Sequence, residues 1–105
     1  MDKPMRANRI DSNQVELVSY FREWGCSVLN ISSLKNVCDI VVALHGRTIM
    51  IEIKDGSKPK SARKLTEGEQ KFKEEWKGAW RLCESIKDAD KIINELNSTD
   101  RIYTR

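Results

Sequence analysis

The chain carries a single histidine, His45, and that scarcity removes two large groups of chemistry. Histidine-built metal centres need several imidazoles, and serine or cysteine triads need one as their base. His45 instead sits beside Gly46 between two apolar runs, on what reads as a turn. Cysteine is sparse as well. Cys26, Cys38 and Cys83 are odd in number and far apart, which suggests neither a disulfide framework nor a zinc knuckle; they are expected to be small buried apolar residues. No apolar run approaches the roughly 20 residues of a membrane-spanning helix, and the amino terminus has no signal-peptide h-region. A cytoplasmic protein with no membrane partner is therefore expected. No repeat, linker or low-complexity segment divides the chain, so residues 1–105 read as one domain.

What the sequence does have is charge in useful places. One third of the residues are charged and the net charge is only +3, so distribution matters more than total. Between Asp39 and Lys54 lie two apolar runs, Ile40-Val41-Val42-Ala43-Leu44 and Thr48-Ile49-Met50-Ile51, joined at His45-Gly46. Rich in β-branched residues and too short for helices, they read as an antiparallel hairpin. An even loop pairs Leu44 with Arg47, Val42 with Ile49 and Ile40 with Ile51, and hence Asp39 with Glu52. Opposed residues have Cβ atoms roughly 5 Å apart, where like charges are destabilising. At an effective dielectric of 20 that repulsion is about 3 kcal/mol. Strand alternation also sends Lys54 to the face of Glu52 and the isoleucines 49, 51 and 53 to the other. Two arrangements relieve the conflict: a divalent cation between the carboxylates with Lys54 nearby for a water or a phosphate, or a plain ion-pair cluster neutralised by Lys54. With imidazole and thiolate ligands excluded, a metal here would have oxygen ligands, which favours Mg²⁺ or Mn²⁺.

The flanking elements follow from periodicity and punctuation. Residues 1–9 read as a loose polar arm whose Lys3, Arg6 and Arg9 could touch a polyanion. A helix capped by Asp11 or Ser12 runs to Gly25, with Leu17, Val18, Phe21 and Trp24 as its buried stripe. Helical spacing puts Gln14 on that inward side and Glu16 opposite. Cys26 to Ile31 is a first strand, and Ser32 to Val37 a loop. After the hairpin, residues 55–64 form a loop without apolar periodicity in which Lys58, Lys60, Arg63 and Lys64 stand against one acid, Asp55. A basic loop next to paired acids suits a phosphodiester substrate, because phosphate contacts supply most nonspecific nucleic-acid affinity. Thr66-Glu67-Gly68-Glu69 is a capping box. It opens a helix to Trp76 or Lys77 with Phe72 and Trp76 on one face and Gln70 in its first turn. Ala79 to Cys83 is a fourth strand, and Ser85 to Leu96 a last helix with Ile86, Ala89, Ile92, Ile93 and Leu96 inward. Residues 99–105 form a short tail. The order is helix, three strands, helix, strand, helix: an α/β layer structure with helices flanking a mixed sheet.

This order, with Asp39-Ile40 at the start of the second strand and Ile51-Glu52-Ile53-Lys54-Asp55-Gly56 closing the third, resembles the PD-(D/E)XK nuclease superfamily. Within it the chain is most similar to the small phage VRR-NUC (virus-type replication-repair nuclease) proteins. Further matching segments are residues Arg9 to Gln14, Lys58 to Thr66, and Gln70 with Trp76. The resemblance implies a restriction-endonuclease-like core and a Mg²⁺- or Mn²⁺-dependent endodeoxyribonuclease. It makes Asp39, Glu52 and the backbone carbonyl of Ile53 the metal ligands and Lys54 the residue that orients or helps deprotonate the attacking water. Gln70 would lie near the site, and Gln14 would stand where junction resolvases carry a first-helix glutamate. Cys38 departs from the pattern, replacing the proline before the aspartate. The resemblance further implies branched or Holliday-junction DNA as substrate, a homodimer, and a phage origin in a bacterial host. Trp80, Ile102 and Tyr103 are candidate interface residues. Two other functions stay open at this point: a flap-, duplex- or RNA-trimming nuclease of the same fold, and a noncatalytic DNA-binding module.

Overall fold

A computed structural model describes residues 12–104. The amino-terminal arm, Arg9 and Asp11 lie outside the described residues. The elements are α1 (Gln14–Glu23), β1 (Ser27–Asn30), β2 (Ile40–Leu44), β3 (Arg47–Ile53), α2 (Glu67–Glu75), β4 (Trp80–Cys83) and α3 (Ile86–Asn97), with a 3-10 turn at Lys60–Ala62. Together they form an α/β fold around one mixed sheet in the order β1-β2-β3-β4. The first three strands are antiparallel, and β4 joins β3 in parallel.

The β2–β3 hairpin has the expected register, Ile40 opposite Ile51, Val42 opposite Ile49 and Leu44 opposite Arg47. Its turn residues, His45 and Gly46, both have positive φ (55° and 77°), the geometry that type I′ hairpin turns require. Ile40, Val42, Ile49, Ile51 and Ile53 are all fully buried. Each buried aliphatic side chain contributes about 1.5–3 kcal/mol, and a one-residue slip would expose them all. That total exceeds the few kcal/mol of acid–acid repulsion, so apolar burial sets the register and Asp39 and Glu52 must follow it.

Helices α1 and α3 cover this isoleucine face. Leu17, Val18 and Phe21 of α1 and Ala89, Ile92, Ile93 and Leu96 of α3 join the same core, with Cys26 and Cys83. All three cysteines are buried and unpaired. Trp24 departs from the expected stripe and is 57% exposed. It is the C-cap residue, after which the chain turns at Gly25 with φ +91°, and its ring meets Tyr20 edge-on instead of entering the core. The cap itself is Asn13, whose side chain makes no capping bond.

Helix α2 lies over the opposite face, where Glu69 meets Lys54 and Lys73 Nζ sits 4.9 Å from the Trp80 ring centroid. Both halves of its capping box form: Thr66 Oγ1 accepts from Glu69 N, and Glu69 Oε1 accepts from Thr66 N. No α2 residue is buried. The tail docks on β4. Trp80 N donates to Thr104 O at 2.8 Å, and Arg81 reaches the carbonyls of Tyr103 and Thr104 while pairing with Glu95. Trp80, a candidate interface residue, is buried within the chain; Ile102 packs on the core, and Tyr103 is exposed. Among the described residues no helix is long and apolar enough to cross a membrane.

Candidate functional site

Asp39 stands where two strands converge. Its N–H donates to Ile51 O, and its carbonyl accepts from Ile31 N. With the main chain held on both sides, Asp39 Oδ2 accepts from Ile53 N at 2.7 Å, fixing the carboxylate against the end of β3. Glu52 follows from alternation: its neighbours Ile51 and Ile53 enter the main core, and Glu52 enters the α2 side, where it is only 3% exposed. Lys54, two residues on, places Nζ 3.8 Å from Glu52 Oε2 and 2.9 Å from Glu69 Oε1.

The electrostatics are asymmetric. Burial pushes the Glu52 carboxyl up to about 10; the charge of Asp39, a hydrogen bond with Asp39 and the charge of Glu69 add to the rise, and Lys54 opposes it. Without a further cation the hydrogen-bonded Asp39–Glu52 pair therefore holds a proton at neutral pH, and the deeper burial of Glu52 draws it to that residue. For Glu69, burial also raises the carboxyl, but the Thr66 N–H and the Lys54 ammonium outweigh it and hold Glu69 below the usual carboxylate range. Lys54 lies closer to Glu69 than to Glu52, and its charge only partly offsets the burial of Glu52, which a proton or a bound cation would relieve.

This donor set fits a hard divalent cation. Among the described residues no group of three or more His, Cys, Asp or Glu is placed to hold a metal, but Mg²⁺ is usually bound through one or two carboxylates plus waters and substrate phosphate. Asp39 and Glu52 would be those two. They open on a cleft of about 330 Å³ bounded by Ser32, Asn36, Thr66 and Glu69, with room for a phosphate and its waters.

Gln14 is inward and 1% exposed, as its helical position predicts. Its Nε2 makes a long 3.5 Å bond to Ser32 Oγ, and its buried Oε1 has no hydrogen-bond partner. Gln70 is exposed and donates to Glu74, so the first turn of α2 brings Glu69, not Gln70, to Lys54. Lys58, Lys60 and Lys64 are exposed on the loop after β3. Arg63 is instead committed inward, donating to Lys58 O and to the Glu84 carboxylate.

Two side chains that shape this region escape a pattern-based reading. Glu69 is legible only as the third residue of a cap. Asn13 donates through Nδ2 to both Lys54 O and Glu84 O, tying the start of α1 to the ends of β3 and β4. An asparagine before a helix signals a cap, and nothing local announces the cross-sheet contact. Comparison of the chain with protein-family models, with curated proteins and with solved structures returns no match.

Proposed function

We propose that this protein is a Mg²⁺- or Mn²⁺-dependent endodeoxyribonuclease with a restriction-endonuclease-like core, acting on branched DNA as a homodimer. The observation that carries the reading is the buried Glu52, hydrogen-bonded with Asp39 just beyond the paired β2–β3 ladder, with Lys54 on the same face. A mere ion-pair cluster would leave that acid solvated or would pair it fully; here the lysine lies nearer to Glu69 than to Glu52.

Asp39, Glu52 and the Ile53 carbonyl would hold the cation. A divalent ion there supplies Lewis acidity toward a phosphate oxygen and an easily deprotonated water. The Ile53 N–H keeps the Asp39 carboxylate in one orientation, so little reorganisation is needed when phosphate arrives. Lys54, whose Nζ lies 3.8 Å from Glu52 and 2.9 Å from Glu69, offers N–H donors to a nucleophilic water or to the non-bridging oxygens, where negative charge accumulates during transfer. The exposed lysines of the 55–64 loop contact the flanking phosphates. Two symmetric nicks on a junction require two sites, and a twofold dimer is the simplest way to present them.

The test is a substrate panel. A four-way junction, a flap, a linear duplex and a single strand are incubated at equal concentration with Mg²⁺ or with EDTA. Cleavage of the junction, dependent on the metal and absent in Asp39→Ala and Lys54→Ala proteins that still bind it, is expected. Equal cutting of the linear duplex would remove the branched-DNA specificity, and unchanged activity in both variants would remove the enzyme.

A further inference from the structure

The loop after β3 is built more firmly than a solvated basic segment needs to be. Asp55 Oδ1 accepts from the Ser57 N–H and hydroxyl, and Oδ2 accepts from Ser12 Oγ at 2.9 Å. Gly56 N donates to Glu84 O, an approach so close that a Cβ at Gly56 would lie 2.7 Å from that oxygen. The 3-10 turn follows, with Ala62 N donating to Pro59 O and Arg63 N to Lys60 O. Arg63 then closes the structure: Nε donates to Lys58 O at 2.7 Å, and a terminal nitrogen reaches Glu84 Oε2 at 2.8 Å. Both side chains of the Arg63–Glu84 pair are 22% exposed. Lys58, Lys60 and Lys64, by contrast, are exposed.

We infer that Arg63 is a positioning residue, not a phosphate ligand: by bridging the Lys58 carbonyl and the Glu84 carboxylate it holds the loop lysines in one geometry before DNA arrives. The inference rests on the nuclease reading for the identity of the partner. Taking Arg63 to a phosphate would break a two-point, partly buried contact and release the loop. Leaving it in place lets the lysines bind without the entropic cost of ordering their backbone. The planar guanidinium suits this bridge because its nitrogens diverge in a fixed fork, whereas a single ammonium cannot reproduce that geometry.

The test combines equilibrium binding with amide exchange. Binding of a fluorescein-labelled four-way junction is measured by anisotropy in EDTA over a series of salt concentrations. Arg63→Ala and Glu84→Ala are each expected to weaken binding about fivefold, the worth of one partly exposed ion pair, and the double variant to be no weaker than either single one. Arg63→Lys, which keeps the charge and loses the fork, should stay weakened. The salt slope should match the wild type in all four, whereas Lys60→Ala should lose about 0.9. In the free protein, amides 56–65 should exchange faster in both alanine variants. Wild-type affinity in Arg63→Lys, unchanged or tighter binding in Glu84→Ala, or a slope reduced by about 0.9 in Arg63→Ala would each overturn the assignment. If the wild type binds no DNA the nuclease reading falls separately; faster exchange in both alanine variants would still uphold the bridge, and unchanged exchange would overturn it.

Discussion

Replacing Glu52 with glutamine should make the metal-free protein more stable, and increasingly so as pH rises. Glu52 has a carboxyl whose ordinary value of 4.5 is raised to about 10 by burial and by Asp39. Between those values the folded state binds a proton that the unfolded state has released, so stability falls with rising pH, by up to about tenfold in the unfolding equilibrium per pH unit. Below pH 4.5 the penalty vanishes, because both states are protonated; above about 10 it stops growing. At pH 7 the gap from 4.5 corresponds to about 3 kcal/mol. Glutamine is neutral throughout, nearly isosteric, and can donate to Asp39 as the protonated acid does, so it escapes the penalty. For a domain of this size the gain is on the order of 10 °C in Tm. Asp55 and Glu69 move downward, and the three cysteines and Tyr20 upward from 9 or 10, so none of these enters the window. Urea melts of both proteins in EDTA at pH 5, 7 and 8.5 should nearly coincide at the lowest pH and diverge steadily. Adding Mn²⁺ at pH 7.5 should raise the Tm of the wild type by mass action and release protons to an indicator dye, with neither effect in the glutamine variant. Parallel stability profiles for the two proteins would refute the premise that Glu52 is kept protonated by its surroundings.

Three further outcomes follow from particular contacts. Glu69→Ala, which strips Lys54 of its closest anion, should reduce metal-dependent junction cleavage at least tenfold in a gel assay, while Gln70→Ala, whose side chain engages Glu74, should leave the rate within about threefold; a tenfold step is worth about 1.4 kcal/mol of barrier. Arg81→Ala should lower stability in urea by about 1–3 kcal/mol and speed amide exchange at Trp80, because one guanidinium holds Glu95 and the tail carbonyls of Tyr103 and Thr104. Gly68→Ala should change stability by less than about 1 kcal/mol in thermal melts, because its Cβ would meet only the end of the exposed Asn36 side chain, which can turn away, and alanine favours the helix; a loss larger than that would show that Asn36 is held in place.

The parts of this protein that were legible from sequence are those encoded within one or two turns of chain. Alternating isoleucines and the His45-Gly46 turn specify the β2–β3 register as far as Ile40 and Ile51, and just beyond it Asp39 lies within hydrogen-bond reach of Glu52. Helical spacing suffices to turn Gln14 inward and to align the stripe of α3. What stayed hidden depends on how elements meet across long separations. Trp24 belongs to the apolar stripe by spacing, yet the chain leaves the helix there and the ring stays out. Trp80 reads as a free aromatic until the tail reaches its backbone. Arg63 counts as one basic residue among four until Glu84 is placed opposite. Glu69 shows the boundary within a single atom. Its Oε1 accepts from Thr66 N at 2.8 Å and from Lys54 Nζ at 2.9 Å. The first bond spans three residues and is written in the capping box; the second spans fifteen and exists only because α2 docks its amino-terminal turn over the end of β3. The oxygen that starts the helix is thus also the counterion of the candidate catalytic lysine, so a substitution that reshapes the cap moves Lys54, and tightening of Lys54 on a phosphate pulls on the first turn of α2.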